Sequence, residues 1–190
     1  MMYSYFRKQL RDYTRHKCFI SYYSADKDEV EAFIREFDEQ HDIFISRHVG
    51  VMDEDIINSN DSAYIMRAIR ERYLAESTVT IVLIGKCTWA RKYIDWEIAS
   101  TLRNDPRNRR SGLLAITLPS MANKTKELPP RFEDNWDKEG DGNKYAKWKK
   151  YPSSPEALAG WIEDAFLARD SRAQLVDNSR QLFGYNRNCE

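Results

Sequence analysis

Two short runs hold the residues of this 190-residue chain that could do chemistry. The first is Thr88-Trp89-Ala90-Arg91-Lys92-Tyr93-Ile94-Asp95-Trp96-Glu97-Ile98. On a helical wheel Ile94, Ile98 and Leu102 form the apolar stripe, and Glu97 lies roughly 90° to its side, at the border of core and solvent. A carboxylate at that border is partly desolvated and still reaches a cleft, which is where an acid can act on a bound molecule. Tyr93 stands one turn before Glu97 and sets an aromatic ring beside it. The second run is Lys17-Cys18-Phe19-Ile20-Ser21-Tyr22-Tyr23, an apolar strand that ends in one hydroxyl and two phenols. Taken alone, a Glu beside an amphipathic stripe is an ordinary surface residue.

Other chemistries lack their motifs. No Gly-rich phosphate loop follows the first strand, and there is neither a P-loop Lys-Ser/Thr pair nor a His-Glu-x-x-His zinc pattern, so a standard Rossmann fingerprint is disfavoured. Asp137, Glu139 and Asp141 before Gly142 suggest a calcium loop, but its twelfth position is Trp148 where a bidentate Glu is required, so the run reads as a solvated turn. His16, His41 and His48 are far apart, have no nucleophile beside them, and read as structural or surface residues. Cys18, Cys87 and Cys189 are too scattered for a zinc site, nothing at the N-terminus looks like a signal peptide, and a cytoplasmic location is expected.

The composition is 42% hydrophobic and 13% aromatic, enough for one sizeable core. The 30 basic and 30 acidic side chains cancel, leaving no excess positive charge to draw the chain to nucleic acid or an anionic membrane. The most apolar stretch, Val79 to Gly85, is far shorter than the ~20 residues of a membrane span. No nucleic-acid or membrane partner is expected.

The elements that must position the two runs follow from periodicity. Cys18 to Tyr22 is a buried strand. Val30, Phe33, Ile34 and Phe37 lie on one helical face after Asp26 and Glu29, which resemble a capped start. Ile43-Phe44-Ile45 is a second short strand, and Ile65, Ala68, Ile69 and Tyr73 mark a second helix. The stretch from Arg47 to Asn60 has no clear period and exceeds the usual ~4–6 residues of a connection, as functional loops often do. Val79 to Ile84 does not alternate and belongs at the centre of a sheet. A helix from Thr88 to Arg103, a strand from Leu113 to Leu118 and an edge strand over Tyr145 to Tyr151 are expected. Ser153-Ser154-Pro155-Glu156 starts a last helix with Leu158, Trp161, Ile162 and Ala165 on one stripe. Strand and helix in alternation imply an α/β fold with a parallel sheet covered on both faces. The domain boundaries expected are an N-terminal helical extension over 1–16, one α/β domain over 17–170 and a C-terminal helical tail over 171–190.

Strand Lys17 to Tyr22, strand Val79 to Gly85 and an aromatic-rich helix containing Trp96-Glu97-Ile98, in that order and spacing, together resemble a TIR domain. More closely they are similar to the TIR-like proteins of the bacterial Thoeris antiphage defence system, over about Cys18 to Arg103. In many TIR domains a Trp-Cys pair precedes the catalytic Glu by one turn; here Tyr93 stands four before Glu97, and Trp89 a further turn back. The resemblance implies a flavodoxin-like TIR fold with about five parallel strands and helices on both faces, binding its ligand beyond the carboxyl ends of the strands.

It further implies an NAD nucleosidase, or ADP-ribosyl cyclase or transferase, with Glu97 as the catalytic carboxylate and NAD as substrate, without a separate cofactor or metal. The substrate-binding residues would be Ser21, Tyr22, Tyr23, Arg47, Ser62, Trp89 and Tyr93. Tyr22 or Trp89 could stack on an NAD ring or serve the core, and Ser21 and Ser62 could donate to phosphate or serve as strand-end and helix-start residues. The product would be an ADP-ribose-derived messenger, cyclic or conjugated, that activates a separate effector protein. Two alternatives stand beside this. One is a non-catalytic TIR scaffold acting by homotypic assembly, for which a TIR homo-oligomer is the partner. The other is a phosphoacceptor receiver domain, which lacks its acceptor Asp because Gly85-Lys86-Cys87 follows the central strand.

Overall fold

A computed structural model describes residues 14–48, 61–106, 109–124 and 127–189. Five strands form one parallel sheet: β1 (His16–Ser21), β2 (Phe44–His48), β3 (Val79–Ile84), β4 (Gly112–Thr117) and β5 (Lys147–Lys149), in the order β2-β1-β3-β4-β5. The direction of strand addition reverses between β1 and β3, where Ser21 is level with Val82. Every residue of β3 and β4 is buried, as their unbroken apolar runs predict for strands covered on both faces.

The helices divide between the two faces. On one side α1 (Lys27–Ile34, continued by a π-type segment Arg35–Gln40) and α5 (Pro155–Ser171) press Val30, Phe33, Phe37, Leu158 and Ile162 onto Cys18, Ile20, Ile81, Leu83 and Ile116. On the other, α2 (Ser62–Ala68, continued by Ile69–Leu74), α3 (Lys92–Leu102) and α4 (Pro130–Asn135) cover Phe19, Val82 and Ile84 with Ile65, Ile69, Ile94, Ile98 and Phe132. The two-residue period of β1 therefore sends Cys18 and Ile20 to the α1 side and Phe19 to the α3 side. None of the described helices is long and apolar enough to cross a membrane.

Several elements differ from their sequence patterns. The single helix expected from Thr88 to Arg103 is broken: a 3-10 turn over Thr88–Ala90 precedes Arg91 in extended conformation, and α3 starts only at Lys92. The edge strand is shorter than Tyr145 to Tyr151, because Ala146 makes only an isolated bridge to Trp136 before β5. Helix α4 lies in a stretch without visible period. The tail expected as a helix over 171–190 has one 3-10 turn, Ala173–Leu175, and then runs without helix through the last described residues. Several of its polar groups bond to α3 and α4, among them Asp177, Asn178 and Phe183. The N-terminal extension, from 1 to 13, and the loop residues 49–60 lie outside the described residues.

Two local readings hold. Ser154 caps α5 by accepting from the Ala157 N–H at 3.2 Å, next to Pro155 in the first turn. Asp137 accepts from the N–H groups of Gly140 and Gly142, both with positive φ (74° and 80°), so this acidic run is a turn closed by its own backbone.

Helix α5 crosses β4 so closely that a Cβ on Gly112 would overlap the Ala165 carbonyl. Gly112→Ala must push the helix off the sheet, and it is expected to lower unfolding stability by about 1–3 kcal/mol in urea titration. An unchanged midpoint would contradict this packing.

Candidate functional site at the carboxyl ends of the central strands

Open α/β sheets bind ligands beyond the strand ends at the point where the winding reverses. Here that point lies between β1 and β3, and the residues around it are Ser21, Gly85 and Glu97. Phe19 faces α3, so Ser21, two residues on, faces it too. Its hydroxyl donates to Glu97 Oε2 at 2.6 Å. Glu97 reaches it from the second turn of α3.

That turn is fixed to the sheet by two hydroxyls. Thr101 Oγ1 donates to the Glu97 carbonyl at 2.9 Å and is 2.8 Å from Thr80 Oγ1 on β3. Both threonines are buried. The carboxylate is thus anchored at strand, helix and side chain.

Glu97 is more buried than its border position on the helical wheel suggests: it is 7% exposed, and every residue of α3 from Ile94 to Leu102 is buried. The apolar stripe should leave the outer side of α3 open, but residues 176–189 cover it. Asp95, 1% exposed, pairs with the equally buried Arg131 of α4 (Nε to Oδ1, 2.8 Å) and also accepts the Phe183 N–H at 2.9 Å. Arg131 donates to Asn178 Oδ1, Asn178 donates to the Ala99 carbonyl, and the Trp96 indole N–H donates to the Phe183 carbonyl at 2.8 Å. Asn186 accepts from the Lys92 N–H and so caps α3, whose own N-cap residue Arg91 makes no side-chain cap.

Burial is the main influence on the Glu97 carboxyl and pushes it up to about 8, with the Ser21 hydrogen bond pulling it partly back. Among the described residues no Lys or Arg is paired with it. A second acid lies against the end of β3. Asp26 packs against Gly85 so tightly that a Cβ there would overlap its carboxylate, and Asp26 Oδ2 is buried without a hydrogen-bond partner. Burial, then Glu29, raises Asp26 to about 6. The expected cap is therefore absent: Asp26 precedes α1 but makes no side-chain cap bond. The end of β3 is held by Thr88, whose hydroxyl accepts from the Gly85 N–H and donates to the Leu83 carbonyl.

The other candidates fall in different places. Tyr22 is half-buried on the α1 side, and burial and then the charges of Glu31 and Glu97 hold its phenol above the usual range. Tyr23 lies under the guanidinium of Arg91, 4.4 Å from its ring centre. Trp89 is half-buried in the 3-10 turn, off the α3 axis, so it does not stack a turn behind Tyr93. Tyr93 meets Trp96 edge-on at 5.8 Å, with Lys92 over its ring.

The structure does not bring Arg47 to Glu97. Its guanidinium is 3.1 Å from Glu76, which also binds Lys17 at 3.0 Å, so the charge is drawn back toward the amino end of β1. Ser62 begins α2, and its side chain lies outside the described residues, as does that of His48. His16 bonds Glu163 at 2.7 Å and stacks on Phe166, a structural role. Sequence reasoning missed Asp26, whose signal was read as a cap, and Arg91, whose signal was masked by an unbroken helical pattern. It also missed Gly85, a glycine directly after a central strand that marks a close approach.

A five-stranded parallel sheet in this order, with an acid delivered by the helix after β3 to the end of β1, defines a flavodoxin-like TIR domain. A family model described as "Thoeris protein ThsB, TIR-like domain" matches residues 19–123, more than half of the chain. The chain belongs to that family, and its role is in Thoeris antiphage defence. No match is found among proteins of curated function.

A carboxyl raised to about 8 in the fold and near 4.5 when unfolded favours folding in its neutral form. That contribution is complete below about pH 4.5 and is lost as pH rises through about 8. Glu97→Gln keeps the shape without the titration. The variant and the parent should therefore melt together near pH 4.5, and the variant should melt several degrees higher above pH 8. A constant difference in melting temperature across that range would contradict the buried, unpaired acid.

Proposed function

We propose that the chain cleaves NAD at the bond between nicotinamide and ribose, and passes the ADP-ribosyl group on as a cyclic or conjugated messenger. The messenger then activates a partner effector. The observation that carries this reading is the Glu97 carboxyl: buried, bonded to Ser21, without a cation among the described residues, and at the sheet's reversal point.

An acid in that state is suited to a cationic guest. The nicotinamide ring of NAD is a pyridinium, and its arrival beside Glu97 favours the ionised acid, whose proton passes to solvent. When the bond breaks, its electron pair goes to the ring nitrogen and nicotinamide leaves neutral, so no general acid is needed. The positive charge passes to the anomeric carbon and ring oxygen of the ribose, as in glycoside hydrolysis. The ionised Glu97 stabilises that cation, and burial enlarges the effect because little water screens it. A water, or a nucleophile of the acceptor, then closes on the carbon.

The remaining residues take supporting parts in this proposal. Ser21 holds the acid, with its proton directed to Glu97. Tyr22 and Trp89, half-buried on either side, supply aromatic surface for the substrate rings. Arg91, 4.4 Å from the centre of the Tyr23 ring, offers positive charge to the diphosphate.

Purified protein, and lysate from phage-infected cells expressing it, incubated with NAD should release nicotinamide detectable by mass spectrometry. Glu97→Gln should lower release by roughly 100- to 1000-fold. Intact release in Glu97→Gln would remove the acid from its assigned role, and absence of release from the parent with phage protection intact in Glu97→Gln would replace the enzyme by the scaffold account. The rate at limiting NAD should rise with pH toward about 8, where the free acid ionises. Ser21→Ala removes the bond that lowers this value, so its profile should move to higher pH. A shift to lower pH would contradict the assigned pair.

A further inference from the structure

Cys87 and Cys189 are 102 residues apart in sequence and form a disulfide, with Cα atoms 5.7 Å apart. Both are half-buried, so a thiol in solution can reach the bond. The third cysteine, Cys18, is fully buried, and burial holds its thiol far above the usual range, so it takes no part.

What the bond ties down is specific. Cys87 opens the turn that leads from β3 to α3, and this turn carries Trp89 and Arg91. The Cys87 carbonyl accepts from Arg91 Nε at 3.2 Å, and the same guanidinium covers Tyr23. On the far side of the turn Arg187 N–H donates to the Ala90 carbonyl at 2.8 Å, and Asn186 caps the Lys92 N–H. The turn is thus clamped between its own arginine and the end of the tail.

The tail itself is held in two parts. Upstream, Asp177 and Asn135 exchange two hydrogen bonds, Asn178 binds Arg131 and Ala99, and Phe183 binds Asp95 and Trp96. Their partners Asn135, Arg131, Ala99, Asp95 and Trp96 are all buried, and these bonds need no disulfide. Downstream, residues 184–188 are all exposed, and the Arg187 and Asn186 contacts are their hydrogen bonds to the turn. Breaking the disulfide therefore releases the end of the tail and leaves its root in place.

We propose that Cys87 and Cys189 form a thiol–disulfide latch that sets the order of the turn Cys87 to Lys92 at the lip of the Glu97 site. Closure is a two-electron exchange: the two thiols give up their protons and electrons to a low-molecular-weight disulfide such as glutathione disulfide. The Cys87–Cys189 bond forms and two glutathione thiols leave. Opening is the reverse. In a reducing cell the latch is open, and oxidation closes it. The docked root of the tail keeps Cys189 near Cys87, so closure competes with intermolecular exchange. The latch stands on the covalent state of the chain and does not depend on NAD turnover.

The test is hydrogen exchange by mass spectrometry on the full chain, equilibrated in glutathione buffers from fully reduced to fully oxidised, with thiol alkylation in parallel. Alkylation of the native protein should mark Cys87 and Cys189 in reducing buffer and neither in oxidising buffer. Reduction should raise exchange at residues 86–92 and 184–189 at least about tenfold, while 94–102 and 130–135 keep their protection. Cys189→Ser should behave as the reduced protein in every buffer. The proposal is overturned if the two thiols stay free at every ratio, or if reduction leaves 86–92 unchanged. It is also overturned if reduction exposes α3 and β3 as a whole, since the bond would then be a staple of the fold.

Discussion

A carboxyl group taken out of water resists ionisation unless a cation or several donors accompany it. Glu97 has one hydroxyl partner, from Ser21, and no cation among the described residues. The fold thus holds an acid whose ionisation is pushed up to about 8 by burial and is not assisted by a neighbouring cation among the described residues. Much of the surrounding structure serves to keep that acid in place and dry. The strand alternation of β1 aims Ser21 at it, Thr80 and Thr101 fasten its helical turn, and the tail closes the side of α3 that would otherwise face solvent.

The same helix carries the opposite kind of buried acid. Asp95, two residues earlier, is fully paired with Arg131 and also accepts a backbone N–H. Removing either partner would leave a buried charge uncompensated, so this pair belongs to the fold, as anchor for both α4 and the tail. Asp95 and Glu97 on one helix thus contrast a carboxylate paired with a buried cation and one bonded only to a hydroxyl among the described residues. Asp26 likewise lacks a cation, with an oxygen buried against Gly85 and no hydrogen-bond partner for it.

The sheet was legible because burial on both faces leaves a clear trace: Val79 to Ile84 and Leu113 to Leu118 do not alternate, and β3 and β4 lie within one residue of those limits. Helices α1 and α5 were legible from their apolar faces and, for α5, from Ser154 and Pro155. The acid was found by its place beside the Ile94, Ile98 and Leu102 stripe together with the family resemblance. The burial of the helix around it was not legible, because Leu182 and Phe183, which pack on or bond to Trp96 and Asp95, lie more than 80 residues further along the chain. Distance in sequence hides the Cys87–Cys189 bond and the Asp95–Arg131 pair in the same way. The pairing of Arg47 on β2 with Glu76 was not legible either, since the two lie 29 residues apart. The tail failed because a polar run with scattered apolar residues was read by its local propensity. The backbone of Asp177 and Phe183 is instead bonded to side chains of α4 and α3.

The central claim is that Glu97 stays protonated near neutral pH until a cationic ligand arrives. Carbon-13 NMR of the glutamate side-chain carboxyls, assigned by comparison with Glu97→Gln, can follow this one group through a pH titration. It should be done with and without a non-cleavable carbocyclic NAD analogue. The account predicts a midpoint near 8 in the free protein and a clear downward shift when the pyridinium is bound. A Glu97 that titrates near 4.5 in the free protein, or whose midpoint ignores the analogue, would contradict it.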